Sequence, residues 1–272
     1  PRVSLTLAFR FKLTTCFCER KTESTMLIAM ITDLHANLEA LQACLAHAAE
    51  RRVSQFAFLG DLVGYGAEPA AVTSLVMEYA ARGAWVLQGN HDAALFQSDT
   101  SSMHPAARQA VEWTRSQLNA EQLSFLRNLP YRIEKDDLLL VHANAWAPEK
   151  WEYIDGVMEA MRSMHACKAQ ITFCGHVHIP TLYHMTMTGK TGEFLPAPEH
   201  SIPLSKQRRW LVIPGSAGQP RDGNPAACYA TFDTDTQELT FYRVPYDYET
   251  AAGKITAAGL PASLAKRLLT GE

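Results

Sequence analysis

The stretch Leu27-Ile28-Ala29-Met30-Ile31-Thr32-Asp33-Leu34-His35-Ala36-Asn37 decides how the rest of the chain is read. Its first five residues form an unbroken apolar run with two β-branched isoleucines, too short for a buried helix and suited to a buried strand. Asp33 and His35 follow at once, and side chains at i and i+2 on extended backbone point the same way. Asn37 then opens a pattern with Leu38, Leu41, Leu45 and Ala48 on one face, so a helix is predicted over 37–52 with Asn37 as its cap. A strand thus hands the chain to a helix through an exit that carries two metal-ligating side-chain types.

The same alternation continues outward. Strands are predicted over 55–59, 84–87, 138–141, 171–174 and 210–213. Helices are predicted over 68–82, started by Pro69 and stopped by Gly83, and over 155–167. A helical stretch covers 105–128 with a break near Asn119, ending before Pro130. Runs at 229–232 and 239–244, joined by the polar turn 233–237, read as a hairpin. Residues 247–269 return to helix with an interruption at Gly259-Leu260-Pro261. The stretch 183–209 is the least regular, read as a strand pair plus a mobile loop. Strands alternating with helices, then a hairpin, predict an α/β domain with mixed sheets over 26–272, and no linker demands a second domain.

Composition narrows the function classes. Of 272 residues, 47% are hydrophobic and 19% charged, which gives ample core material. No apolar run approaches the ~20 residues of a membrane-spanning helix. The net charge of −3 supplies no basic field for nucleic acid. The six cysteines include no Cys-x-x-Cys pair, which fits a reducing cytoplasm better than a disulfide scaffold. Residues 1–25 carry Arg2, Arg10, Lys12, Arg20 and Lys21 against Glu19 and Glu23, and lack the layout of a signal peptide. They are read as a non-native or disordered leader, with Met26 as the natural start.

The exits of the predicted strands carry the chemistry. The second leads into Gly60-Asp61, the third into Gly89-Asn90-His91-Asp92, the fourth into His142 and the fifth into Gly175-His176-Val177-His178. The carboxyl edge of an α/β sheet is where ligands bind. Imidazoles with carboxylate and amide oxygens suit Mn, Fe, Zn, Co or Ni. An aspartate, having two oxygens, can bridge two ions about 3.5–4 Å apart. Glycines before Asp61, Asn90 and His176 allow tight exits and close backbone approach. Each piece alone is an ordinary turn; the five in this order, each after a strand, are not. His47, His104, His165, His184 and His200 lie outside the pattern and read as surface or packing residues.

Asp33-x-His35, Gly60-Asp61, Gly89-Asn90-His91-Asp92, the strand-end His142 and Gly175-His176-x-His178 resemble the five blocks of the calcineurin-like metallophosphoesterase superfamily. That resemblance implies a four-layer αββα sandwich of two mixed β-sheets flanked by helices. It implies two divalent ions, one held by Asp33, His35 and His178, the other by Asn90, His142 and His176, with Asp61 between them. It implies hydrolysis of phosphoester bonds, by a phosphodiesterase or a phosphatase, through a hydroxide bridging the ions. His91 would be catalytic, contacting the substrate as a protonated donor, and Asn37 and Asp92 would orient the ligands. The expected substrate is a small phosphoester, nucleotide-like compounds included; the oligomeric state stays open.

Within the superfamily the branch is read from departures. Gly60-Asp61-Leu62-Val63-Gly64-Tyr65-Gly66 and Gln88-Gly89-Asn90-His91-Asp92 lack the arginines that protein Ser/Thr phosphatases and their diadenosine tetraphosphatase relatives carry at these places. With Pro214-Gly215-Ser216 and Gln219-Pro220-Arg221-Asp222-Gly223, the chain is more similar to small prokaryotic phosphodiesterase-like members, although Ile213 stands where many of those carry Asn. Arg221 is a candidate substrate-phosphate contact, since a guanidinium binds phosphate bidentately. Trp146, Trp151 and Tyr153 either line the entrance or pack the following helix. The competing reading is a non-catalytic scaffold on the same fold, yet such modules usually lose ligands and every expected one is present here. An amidohydrolase barrel would place His-x-His near the first strand rather than the fifth. Gly189-Lys190-Thr191 lacks the upstream glycine of a P-loop, and Gly215-Ser216-Ala217-Gly218 lacks the spacing of a nucleophile elbow.

Overall fold

A computed structural model describes residues 26–101 and 103–272 of the chain. The expected leader over 1–25 lies outside the described residues. Strands β1 (Leu27–Ile31), β2 (Gln55–Phe58) and β3 (Trp85–Val86) alternate with helices α1 (Leu38–Glu50) and α2 (Pro69–Ala81), and three helices follow: α3 (Asn90–Ala94), α4 (Pro105–Gln117) and α5 (Ala120–Arg127). Then come β4 (Arg132–Lys135), β5 (Leu138–Val141), α6 (Val157–His165), β6 (Ile171–Phe173), β7 (Thr181–Thr186), β8 (Thr191–Phe194), β9 (Ser201–Pro203), β10 (Arg208–Ile213), β11 (Ala227–Asp233), β12 (Glu238–Val244), α7 (Tyr248–Ala257) and α8 (Ala262–Thr270).

The strands form two six-stranded mixed sheets, in the orders β3-β2-β1-β11-β12-β9 and β4-β5-β6-β10-β7-β8. In the first, β1, β2 and β3 run parallel and β11 joins β1 antiparallel; in the second, β5, β6 and β10 are parallel and β7 runs against β10. Alternation along β1 shows why the sheets stack. Ile28 and Met30, with Phe232 of neighbouring β11, face Phe173 and Val212 of the second sheet, while Ala29 and Ile31 face α1 and α2 through Leu41, Leu45, Val72 and Val76. On the far side, Leu139 and Val141 of β5 pack with Ala160 and Met164 of α6. Helix, sheet, sheet and helix layers therefore follow in order, as the resemblance implied, and the amidohydrolase barrel is excluded.

Three elements differ from the sequence expectation. α3 replaces the turn read after the third strand, and β4, with one apolar residue among Arg132-Ile133-Glu134-Lys135, was not expected as a strand. The irregular stretch holds a hairpin, β7–β8, and β9, which crosses to pair with β12 in the other sheet. No helix among the described residues is long and apolar enough to cross a membrane.

Candidate metal centre

β1, β2 and β3 of one sheet and β5 and β6 of the other end at the same edge of the sandwich. Their exits place Asp33, His35, Asp61 and His178 so that one ligand atom from each lies within 4.8 Å of the others, and Asp61, His142 and His176 likewise. All are buried, between 0% and 5% exposed. Asp61 belongs to both groups. It is one oxygen, Oδ2, that faces both, 3.4 Å from His142 Nε2 and 3.7 Å from His35 Nε2, while Oδ1 accepts from the His91 backbone N–H at 2.8 Å. Asn90 joins the second group, its Oδ1 3.2 Å from His142 Nε2.

Backbone carbonyls aim the imidazoles. His35, His142 and His178 each turn Nδ1 to the carbonyl of Val63, Leu59 or Gln219, at 3.2, 2.7 and 2.6 Å, which leaves Nε2 for the centre. His176 is reversed, with Nε2 on the Trp151 carbonyl at 2.9 Å, so Nδ1 is its free nitrogen. With Nδ1 of each turned to a carbonyl, His35 and His178 bring Nε2 within 3.2 Å of each other, beside carboxylate oxygens of Asp61 and Asp33 at 3.7 and 3.3 Å. Imidazole nitrogens and carboxylate oxygens crowded this closely and buried from water match the donors a divalent cation takes. The donor set therefore fits a divalent metal at this point.

Electrostatics agree. Burial pushes the Asp61 carboxyl up, but the charges of His142 and His91 override it and hold the pKa well below the usual range. Asp33 behaves the same way against His178. Burial pulls His142 down, yet Asp61 raises it to about 9. Burial lowers His35, and lowers His176 to about 3, so both are neutral at ordinary pH and ready to ligate.

Close packing of the exits depends on small residues. A Cβ at Gly175 would strike Thr32 Oγ1, at the point where Asp33 accepts the His176 N–H at 3.0 Å and joins the two sheets. Gly64 has φ of +87°, and a Cβ there would lie 2.6 Å from the His91 ring.

His91 sits beside the cluster, its ring centroid 5.0 Å from that of His35, with its buried Nδ1 unpartnered among the described residues. Burial lowers its pKa to about 4, against the pull of Asp61 and with help from the charges of His178 and Arg221. In the metal-free chain burial therefore favours the neutral ring, and negative charge brought by a substrate is what would raise it toward the protonated donor that the resemblance implied. Asp92 accepts from Leu62 N, Val63 N and Gly89 N at 3.0, 3.1 and 2.9 Å, tying the Asp61 loop to the Asn90 loop. Asn37 caps α1 at Ala40 N and donates to the Gly218 carbonyl at 2.8 Å; it bonds loop backbone, not a ligand side chain. Arg221 reaches the site beside Tyr65, its Cζ 5.8 Å from that ring.

The aromatic residues divide. Tyr153 stacks on His176 at 4.0 Å and Trp151 meets His142 edge-on at 5.8 Å, while Trp146 turns away to Glu152 and Arg162. Tyr65 and Gln219 are contacts the sequence quoted in motifs without assigning them a role. Tyr65 lies 4.3 Å from the His91 ring, with φ of +62°, a strained value for a bulky residue. Position after a strand exit was the signal available for Gln219. Of the histidines outside the pattern, His47 meets the Tyr229 hydroxyl at 2.8 Å and His104 caps α4.

Comparison with known proteins agrees with this architecture. Residues 26–237 match the calcineurin-like phosphoesterase superfamily domain. An uncharacterized protein of Methanocaldococcus jannaschii is 34% identical over 253 residues, covering 90% of this chain and 98% of its own. A metallophosphoesterase from Sphaerobacter thermophilus is 37% identical, with a TM-score of 0.80 over 91% of this chain and all of that one. A hypothetical protein from Pyrococcus horikoshii shares the fold at 21% identity, with a TM-score of 0.74 over 90% of this chain and 98% of its own.

Proposed function

The chain belongs to the calcineurin-like phosphoesterase superfamily, and from that premise we propose that it hydrolyses phosphoester bonds with a pair of divalent cations at the Asp61-centred cluster. The observation that carries the reading is the sharing of Asp61 Oδ2 between two sets of buried ligands drawn from both sheets. In this reading Asp33, His35 and His178 hold one ion and Asn90, His142 and His176 the other. When bound, two such ions act as Lewis acids toward phosphoryl oxygens and lower the pKa of a shared water. Mn, Fe, Zn, Co and Ni all suit the nitrogen and oxygen donors.

The chain's own groups supply the rest. The backbone N–H of His91 holds Asp61 Oδ1, which keeps Oδ2 toward both ligand sets. The His91 ring, its Nδ1 unspent, is the group that would meet the leaving oxygen. As the P–O bond to the alcohol breaks and one forms to the water oxygen, one water proton ends on the departing alcohol. Asp92 keeps the two ligand loops in register, and Arg221 takes phosphoryl charge.

The test is chelator-stripped protein reloaded with each metal in turn and assayed on aryl phosphate mono- and diesters. Two ions per chain with turnover on at least one ester is expected. Two ions with none on any ester would favour the scaffold reading.

A further inference from the structure

The loop that leaves β10 packs against the cluster, bonding the Asp33 carbonyl through Ser216 and Gly218 and the His178 ring through Gln219. β10 is parallel to β6, with Leu211 beside Thr172, so it exits at the same edge as His176 and His178. Gln219 is 1% exposed, and three of its groups are spoken for: its N–H meets Ser216 Oγ at 2.9 Å, its carbonyl takes His178 Nδ1 at 2.6 Å, and its Oε1 accepts from Arg221 Nη2 at 3.1 Å. Its Nε2 is buried without an acceptor among the described residues. The Arg221 backbone N–H donates to the His178 carbonyl at 3.4 Å, and its Nε is likewise buried without an acceptor.

No carboxylate among the described residues pairs with this guanidinium; the adjacent Asp222 is taken by Arg243. Its charge reaches His91, Tyr65 and Tyr153 instead. The Gln219 amide and the Arg221 guanidinium, each with an unspent N–H, are therefore fastened by one loop to a ligand histidine, and the guanidinium lies toward Tyr65 and His91. Buried donors of this kind call for an anionic acceptor.

The number of phosphoryl oxygens then discriminates. A diester has two non-bridging oxygens, and a pair of cations can take both. A monoester has a third, with a second negative charge, for which donors outside the ion pair are needed. We propose that Gln219 and Arg221 receive that third oxygen, so that the chain prefers phosphomonoesters to phosphodiesters. Arg221 contacts the substrate, and Gln219 also acts as a positioning residue that holds the guanidinium through Oε1. The proposal rests on the phosphoesterase reading and deepens it.

The experiment uses metal-loaded full-length protein with 4-nitrophenyl phosphate and methyl 4-nitrophenyl phosphate, which share a leaving group, and calorimetric binding of inorganic phosphate. The wild type should favour the monoester in kcat/KM. Arg221→Ala should cut the monoester-to-diester ratio by tenfold or more and weaken phosphate binding by a similar factor, with two ions retained. Arg221→Lys, which keeps the charge and loses the fork, should fall between. Gln219→Met should weaken phosphate binding several-fold and raise KM for the monoester more than it lowers kcat. A wild-type preference for the diester, phosphate affinity unmoved in Arg221→Ala, or loss of metal from that variant would each overturn the proposal while the phosphoesterase reading stands. Absence of turnover on both esters with two ions bound would sink both.

Discussion

Oδ2 of Asp61 is the one atom on which both halves of the cluster converge, and its partners set what metal loading must displace. His142, raised to about 9 by that carboxylate, is protonated at pH 7 in the metal-free chain. Binding a cation at Nε2 must expel the proton. Loading at pH 7 should therefore release close to one proton per chain from this residue, read by calorimetry in buffers of differing ionisation enthalpy; no buffer dependence would remove the His142–Asp61 pairing. Asp61→Ala should abolish loading of both ions, and retention of two would end its bridging role. His91→Ala should keep both metals and lose turnover by about 10²–10⁴-fold, the usual range for a positioned proton-transfer group. At this scale the sequence was highly informative, because Asp, Asn and His after short apolar runs announce themselves. What it hid was protonation: the neutrality of His91 follows from burial, which spacing does not encode.

Elements were legible in proportion to their apolar periodicity. α1 and α2 lie within two residues of expectation because each presents a long apolar face, as do the buried strands β5 and β10. β4 escaped because an edge strand with Arg132, Glu134 and Lys135 needs little burial and looks like loop. α3 escaped because five residues are too few to show a period, and it forms because Asp92 accepts the Gly89 N–H at its start. Asp92 also accepts from Leu62 and Val63, so Asp92→Ala strands three buried donors. It should destabilise the protein by about 2–4 kcal/mol and loosen Asn90, seen as a lower denaturant midpoint together with weaker binding of the second ion. An unchanged midpoint would show that the two loops hold without it.

For the whole molecule, the cluster is a tie between sheets, with Asp33, His35, Asp61 and Asn90 from one and His142, His176 and His178 from the other. The full ligand set exists only when the two sheets are packed, so metal should favour the folded chain: saturation at 1,000 times Kd should add up to ~4 kcal/mol and raise Tm, and chelation should reverse the gain. The metal-free protein should lose stability as pH falls from 6.5 toward 4. His35, His91 and His176 have folded pKa values depressed below 6.5, so the unfolded chain takes up protons first. Asp92, raised to about 7, opposes them singly, and the His142 contribution is already complete below 6.5. Chemical denaturation across that window checks the sign; a rise on acidification would contradict it.

The placement of β11 beside β1 has a consequence in time. Ile28 must wait for Phe232, and at ~5–20 residues per second a ribosome needs on the order of ten seconds or more to deliver it. For most of that interval the nascent chain carries Asp33, His35 and Asp61 while β1 lacks its central neighbour. Premature capture of a cation by this half-built hand is a hazard of the topology.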